Sequence, residues 1–318
     1  MKKRFLIPVI IGAIAIALFL LRTPDSDPVA MEAKYTNANS AFVEGADGLR
    51  VHYRDEGNPD GVPIVLLHGS SSSLHTWEPV VERLGTKYRI ITYSQPGHGL
   101  TGPHPRDDYS AAGMAEALDL VTDQLELEHF VLGGNSMGGW VSWRYALAHP
   151  EKVDALLLLD AAGMPLRDGE TSPPLNIGFK LQQMALGRAL LTQFTPRSIV
   201  KQSLLQSVSV KTVATDAAID QYWELIRYPG NRRAAGFRAL ADREMQFADE
   251  IHKITAPTLI IWGAEDQLIY ASAAQSFDER VPNAEMVIYD GVGHLPMEEA
   301  PDRTAADIDG FLDRVLVP

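Results

Sequence analysis

No cysteine occurs anywhere in the 318 residues. That absence removes disulfides, thiolate nucleophiles, cysteine-based metal sites and lipidated cysteines together, while deciding nothing about compartment. Basic residues are also scarce, because 28 Lys and Arg against 41 Asp and Glu leave a formal net charge of −13. So acidic a chain does not hold nucleic acid or an anionic membrane surface by bulk charge, and no nucleic-acid partner is expected. Internal repeats, low-complexity segments, phosphate-cradling loops and metal-ligand clusters are missing as well, so neither a cofactor nor a metal is expected. Apolar residues, at 46% of the chain, are sufficient for one large α/β domain or two smaller ones.

Only one long hydrophobic run is present. Met1-Lys2-Lys3-Arg4 leads into apolar or small residues from Phe5 to Leu21, followed by Arg22. At ~1.5 Å per residue the run reaches about 25 Å as a helix, near the lower limit for a bilayer span. It ends in the bulky Leu18-Phe19-Leu20-Leu21 with no clear small-x-small cleavage site after it, Pro28-Val29-Ala30 being a poor substitute, so an uncleaved anchor is favoured over a signal peptide. The leading basic residues then stay cytoplasmic and the remainder lies on the periplasmic or extracellular side, or is secreted if the segment is cleaved. Residues 1–22 are thus read as anchor or signal, and 23–40, with Pro24 and Pro28 and no periodicity, as a linker.

Beyond the linker, strand and helix signals alternate. Ala41–Glu44 and Leu49–Arg54 flank the turn Asp47-Gly48 as an antiparallel hairpin. Short apolar strands follow at Ile64–Leu67, Tyr88–Tyr93, His129–Leu132 and Val153–Leu159, with helical stretches at Trp77–Leu84, Ala111–Leu125 and Trp140–His149. This alternation predicts a parallel sheet with helices on both faces. It breaks between Ala161 and Ala256, where only helix-like stretches occur (Ile177–Leu191, Arg197–Val208, Asp216–Arg227 and Arg232–Phe247), and resumes with strands Thr258–Trp262 and Glu285–Tyr289 and helices Ala271–Arg280 and Thr304–Val315. The core is therefore placed in 41–160 and 257–318, and 161–256 is read as an inserted helical cap over the carboxyl ends of the strands.

The chemistry centres on Gly134-Asn135-Ser136-Met137-Gly138-Gly139, where an apolar strand stops at a serine bracketed by glycines and a helix begins. In such a turn the serine backbone is strained and its neighbours must lack side chains, which marks Ser136 as a nucleophile. A serine hydroxyl is a poor nucleophile near neutral pH, so it requires a base, usually a histidine oriented by a carboxylate. Asp266 and His294 each lie just past the carboxyl end of a predicted strand, the edge where sites of open parallel sheets form. Asp160, which also closes an apolar strand, is the alternative acid, and His98 and His75 are weaker rivals as base. The loop His68-Gly69-Ser70 can present an N–H beside that of Met137, so the amides of Ser70 and Met137 are the candidates for an oxyanion hole. His68 is read as a hydrogen-bonded structural residue, His52, His104, His129, His149 and His252 as surface or packing residues, and Glu298 and Glu299 as helix-start charges.

His68-Gly69, Gly97-His98-Gly99, Gly134-Asn135-Ser136-Met137-Gly138-Gly139, Asp266 and His294 together resemble the α/β-hydrolase fold superfamily from about Phe42 to the carboxyl terminus. The resemblance implies an eight-stranded, mostly parallel sheet, a cap inserted after the sixth strand, and a triad of Ser136, Asp266 and His294. Ser94 departs from it, since many relatives carry an acidic residue there, and a structural consequence is expected.

Hydrolysis of a small carboxylic ester through an acyl-enzyme is the first expectation. The runner-up is carbon–carbon hydrolysis of ring-fission products, whose elbow is similar, although Ser70-Ser71-Ser72-Ser73 does not match their longer glycine- and proline-containing loop. A membrane-tethered binding protein without turnover is the reading from another class. Phe179, Met184, Leu190, Phe194, Trp223 and Phe237 are the cap residues proposed for an apolar acyl pocket.

Overall fold

The computed structural model describes residues 22–175, 177–241 and 245–316, the side chains of 245 and 246 excepted. Eight strands, β1 (Ser40–Glu44), β2 (Arg50–Gly57), β3 (Pro63–Leu67), β4 (Arg89–Tyr93), β5 (Phe130–Asn135), β6 (Val153–Leu159), β7 (Thr258–Gly263) and β8 (Ala284–Tyr289), form one sheet in the order β1-β2-β4-β3-β5-β6-β7-β8. β1 pairs with β2 and β2 with β4 antiparallel, and every later pairing is parallel. This is the mostly parallel, eight-stranded sheet expected for the α/β-hydrolase fold.

Its inner strands β3 to β7 are mostly apolar and buried because both faces are covered. Val65 and Leu67 of β3 pack on one side with Leu132, Trp140 and Trp262, whereas Ile64 and Leu66 pack on the other with Trp77, Val131, Leu157 and Phe311, all but fully buried. Removing side chains of this size from water contributes roughly 1.5–3 kcal/mol each. The helices are α1 (Pro28–Tyr35), α2 (Glu78–Leu84), α3 (Ala111–Gln124), α4 (Met137–Ala148), α5 (Ile177–Gln183), α6 (Ala185–Leu191), α7 (Arg197–Ser207), α8 (Asp216–Ile226), α9 (Asn231–Arg238), α10 (Ser272–Asp278), α11 (Pro296–Glu299) and α12 (Pro301–Val315). Local chemistry sets several starts: the side chains of Ser110 and Thr215 accept from the amides of Gly113 and Ala218 three residues on.

Between β6 and β7 the described residues contain helices and no strand. The stretch read as one helix over 177–191 is two, parted at Met184, which is extended (ψ 131°). That read over 232–247 ends at Arg238, and a 3-10 segment follows at Met245–Lys253.

The linker reading of 23–40 is corrected. Asp27 caps α1 by accepting from the Ala30 amide, and Pro28 at the first helical position loses no intrahelical bond. The segment is pinned to the helical insertion, Thr23 N–H donating to Gln193 O (2.8 Å), Ser26 N–H to Arg227 O (2.9 Å), and Arg232 pairing with Asp25 (2.6 Å). Glu224 accepts from both Lys34 and Tyr35 at 2.6 Å. An isolated eight-residue helix is marginal in water, so these contacts account for it. The proposed anchor, Phe5–Leu21, lies outside the described residues. Among the described residues no helix is long and apolar enough to cross a membrane.

Candidate active site

β5 delivers Ser136 to the carboxyl edge of the sheet, and α4 begins at the next residue. The serine has φ 55° and ψ −117°, outside the regions ordinary side chains favour. Its conformation is over-determined: its N–H donates to Leu159 O (3.0 Å), and its carbonyl accepts from Trp140 N–H (3.0 Å) and Ala162 N–H (2.9 Å). The glycines are required by close approach, since a Cβ on Gly134 would stand 2.3 Å from the Gly138 carbonyl carbon and one on Gly138 would stand 2.3 Å from Leu67 O.

His294 and Asp266, 28 residues apart in the chain, meet through Nδ1 and Oδ2 at 2.7 Å, both buried. Asp266 Oδ1 accepts from the amides of Leu268 (2.7 Å) and Ile269 (3.1 Å), which fixes the carboxylate plane. Asp160, the alternative acid, lies beside this pair, a ring nitrogen of His294 and a carboxylate oxygen from each aspartate falling within 4.8 Å of one another. Its Oδ1 accepts from Gly263 N–H at 3.0 Å, and Asp266 holds the bond to His294. Burial first, then the neighbouring Asp266, push the Asp160 carboxyl well above the usual range, which favours its neutral form.

Backbone hydrogen bonds locate the base loop. Asn135 Nδ2 donates to His294 O (3.0 Å) and Leu159 O (3.1 Å), tying the residue before the nucleophile to the base. His294 N–H donates to Ser207 O (2.8 Å) at the end of α7. Glu299 accepts from Gly293 N–H (3.0 Å) and Leu295 N–H (3.1 Å) on either side of His294, and from Ser209 N–H (2.6 Å) and Val210 N–H (2.8 Å) after α7. Glu298 accepts from Thr76 Oγ1 and, at 2.7 Å, from Tyr222 Oη, and loss of hydration raises its carboxyl pKa. Both glutamates therefore join the helical insertion to the sheet edge, a role their reading as helix-start charges missed. Their position four and five residues after His294 was the available signal.

Ser70 Oγ donates to Met137 Sδ at 3.3 Å, and a Cβ on Gly69 would lie 3.0 Å from Ser136 Cβ, so the loop after β3 rests against the elbow. Met137 N–H is the first of α4, a position with no intrahelical acceptor. Ser70, Ser136 and His294 all line one cavity of about 310 Å³, walled on its other side by residues of the helical insertion.

The other histidines are committed elsewhere. His68 is fully buried, with Nδ1 on Gly69 O (2.8 Å) and Nε2 accepting from Gln95 N–H (2.9 Å), and burial holds its pKa down to about 3. His75 bonds Ser73 Oγ and Tyr35 O and is held down to about 4, also by burial. His98 faces the His68 ring edge-on at 4.9 Å and bonds Pro96 O. Ser94 is buried, with Oγ accepting from Leu74 N–H (3.4 Å) and its carbonyl accepting from Thr101 Oγ1 (2.6 Å). Of the six insertion residues proposed for an apolar pocket, only Phe179 lines the cavity. Met184, Leu190 and Phe237 face solvent, and Trp223 donates to Thr195 O under the Arg227 guanidinium.

Comparison with known proteins places the fold. The chain is 27% identical over 279 residues to Lipase 3 of Moraxella sp., covering 84% of this chain and 82% of the lipase. It is 29% identical over 272 residues to a monoacylglycerol lipase of Mus musculus, covering 83% and 79%. Among solved structures it is similar to a membrane phospholipase A described as a bacterial virulence factor, at 25% identity and TM-score 0.71, each chain covered in full. Residues 62–301 match the family model for the alpha/beta hydrolase fold, and the chain belongs to that family of hydrolases.

Proposed function

We propose that the protein hydrolyses carboxylic esters through an acyl-enzyme, with Ser136 as nucleophile, His294 as general base and then acid, and Asp266 as the carboxylate that orients it. One observation carries the reading: Ser136 at positive φ and His294, bonded to Asp266 at 2.7 Å, line the same cavity. Asp266 on Nδ1 leaves Nε2 as the nitrogen that takes the serine proton. The amides of Ser70 and Met137 stabilise the oxyanion of the tetrahedral intermediate, and His294 returns its proton to the leaving alcohol. Water attacks the acyl-enzyme by the same route, and no step calls on a cofactor or metal.

The relatives named as lipases support ester cleavage. Residues 161–256 serve as the cap that shelters the acyl part, with Phe179 and Leu204 among its apolar walls. The run Phe5–Leu21 anchors the chain and leaves the hydrolase on the non-cytoplasmic side. The test is turnover of aryl esters of graded acyl length by the full chain beside Ser136→Ala. Hydrolysis that vanishes in the variant is expected, and equal rates in both proteins reject the assignment. Fractionation of intact cells checks the anchor: recovery with membranes and digestion by external protease are expected, and a cytosolic pool protected from protease rejects it.

A further inference from the structure

We infer that the ester cleaved at this site carries a compact anionic group, a carboxylate or a phosphate, held in the cavity by Arg188. This deepens the ester-hydrolase reading and rests on it. The observation is one of charge: the cavity wall includes Arg188, Arg232 and Arg238 and, among the described residues, no aspartate or glutamate. Such a wall is unexpected in a chain with 41 acidic and 28 basic residues. A recess lined by charge of one sign and walled by apolar groups focuses its field on whatever enters.

The three arginines differ in how their charge is met. Arg232 is paired with Asp25 at 2.6 Å and donates to Thr23 O at 2.7 Å, so it serves to pin the amino-terminal strap. Arg238 donates to Gly97 O at 3.0 Å, bracing the loop behind His98. Arg188, half-buried on α6, uses Nη1 for two carbonyls, Gln182 O (3.0 Å) and Gln183 O (3.1 Å), at the carboxyl end of α5. Those carbonyls orient the guanidinium and leave its full positive charge, and no ion pair to it occurs among the described residues. Its stem is located by α9, where a Cβ on Gly236 would stand 3.3 Å from Arg188 Cδ. Nε and Nη2 keep the planar fork that suits a carboxylate or phosphate. Phe179, Leu191, Ile199, Val200 and Leu204 line the same cavity, so the favoured ligand joins an apolar chain to the anion.

Two measurements test this, one independent of turnover. The first is calorimetric binding to full-length Ser136→Ala, with and without Arg188→Gln, of monomethyl hexanedioate and of neutral dimethyl hexanedioate. The anion is expected to bind about tenfold or more tightly than the diester, and Arg188→Gln to erase that ratio while Arg188→Lys restores part of it. Equal affinities, or a ratio that survives Arg188→Gln, overturn the proposal. The second compares kcat/KM of the otherwise unaltered enzyme and Arg188→Gln for paired esters: the mono-aryl ester of hexanedioate against aryl hexanoate, and a monoacylglycerol phosphate against the matching monoacylglycerol. A ratio that collapses in the first pair identifies a carboxylate, and one that collapses in the second a phosphate. Anion preference in binding with no ester turnover leaves the subsite standing and removes the ester chemistry. Turnover without anion preference does the reverse.

Discussion

Ser136 sits where a non-glycine side chain costs on the order of 1–3 kcal/mol, and three backbone hydrogen bonds together with the α4 packing hold it there. The glycines around it are the vulnerable points. Gly138→Ala sets a Cβ against Leu67 O, a backbone atom that β3 cannot move, so a loss of at least ~2 kcal/mol is expected in urea unfolding. A midpoint unchanged from the parent would mean the elbow is looser than its contacts indicate. Asp160 presents a different residue-level effect. Its folded carboxyl keeps a proton that the unfolded one, with a pKa of about 3.9, has released, so the folded state binds more protons and stability falls as pH rises above about 4. Asn has no carboxyl proton to lose, and its amide oxygen can still accept from Gly263 N–H. The gain in thermal midpoint from Asp160→Asn should therefore grow between pH 4 and pH 8, and a constant offset across that range would reject the neutral assignment.

At the scale of elements, two short segments bind the insertion to the sheet. The loop carrying His294 is held by Glu299, whose carboxylate collects four amides from two separate stretches of chain. Glu299→Gln turns one acceptor oxygen into a donor facing donors. Since hydrogen bonds to a charged group are worth ~1.5–3 kcal/mol each, a fall of at least that size in stability is expected, with kcat for aryl esters dropping more than KM rises. An effect on KM alone would place Glu299 with the pocket and not with the base loop. The other segment is the strap formed by residues 23–35. Beginning the chain at Thr36 removes the contacts to Gln193, Arg227, Arg232 and Glu224. Its thermal midpoint should lie at least ~4 °C below that of a chain beginning at Arg22. Equal midpoints would reduce the strap to a passive covering.

For the molecule as a whole, buried histidines govern the acid side. His68 and His75, held down to about 3 and about 4 by burial, bind protons more weakly folded than unfolded. Their contribution is complete above the unfolded value of about 6.5 and is lost as pH falls toward the folded ones, so the thermal midpoint should drop between pH 6.5 and pH 3. His75→Gln should flatten that fall, and an unchanged slope would assign the acid sensitivity elsewhere. The positions of the strands, the elbow at Ser136 and the break in alternation after Ala161 could all be read from the chain, because each rests on local periodicity and on which residues tolerate a tight turn; the order β1-β2-β4-β3-β5-β6-β7-β8 could not, since it pairs segments distant in the chain. Asp25 to Tyr35 could not, because α1 owes its helix to partners some 200 residues away; Asp27-Pro28 was its only local sign. Met184, Leu190 and Phe237 were assigned inward on hydrophobicity alone, which says that a side chain favours burial and not which wall it faces. The sequence by itself determined the fold class and the kinds of residue the chemistry requires, since these depend on short-range pattern. Asp266 was expected as the acid, with Asp160 as its alternative, whereas tertiary structure alone decided that Glu299 steadies the loop of His294 and that arginines face the cavity, because each depends on distances between segments far apart in the chain.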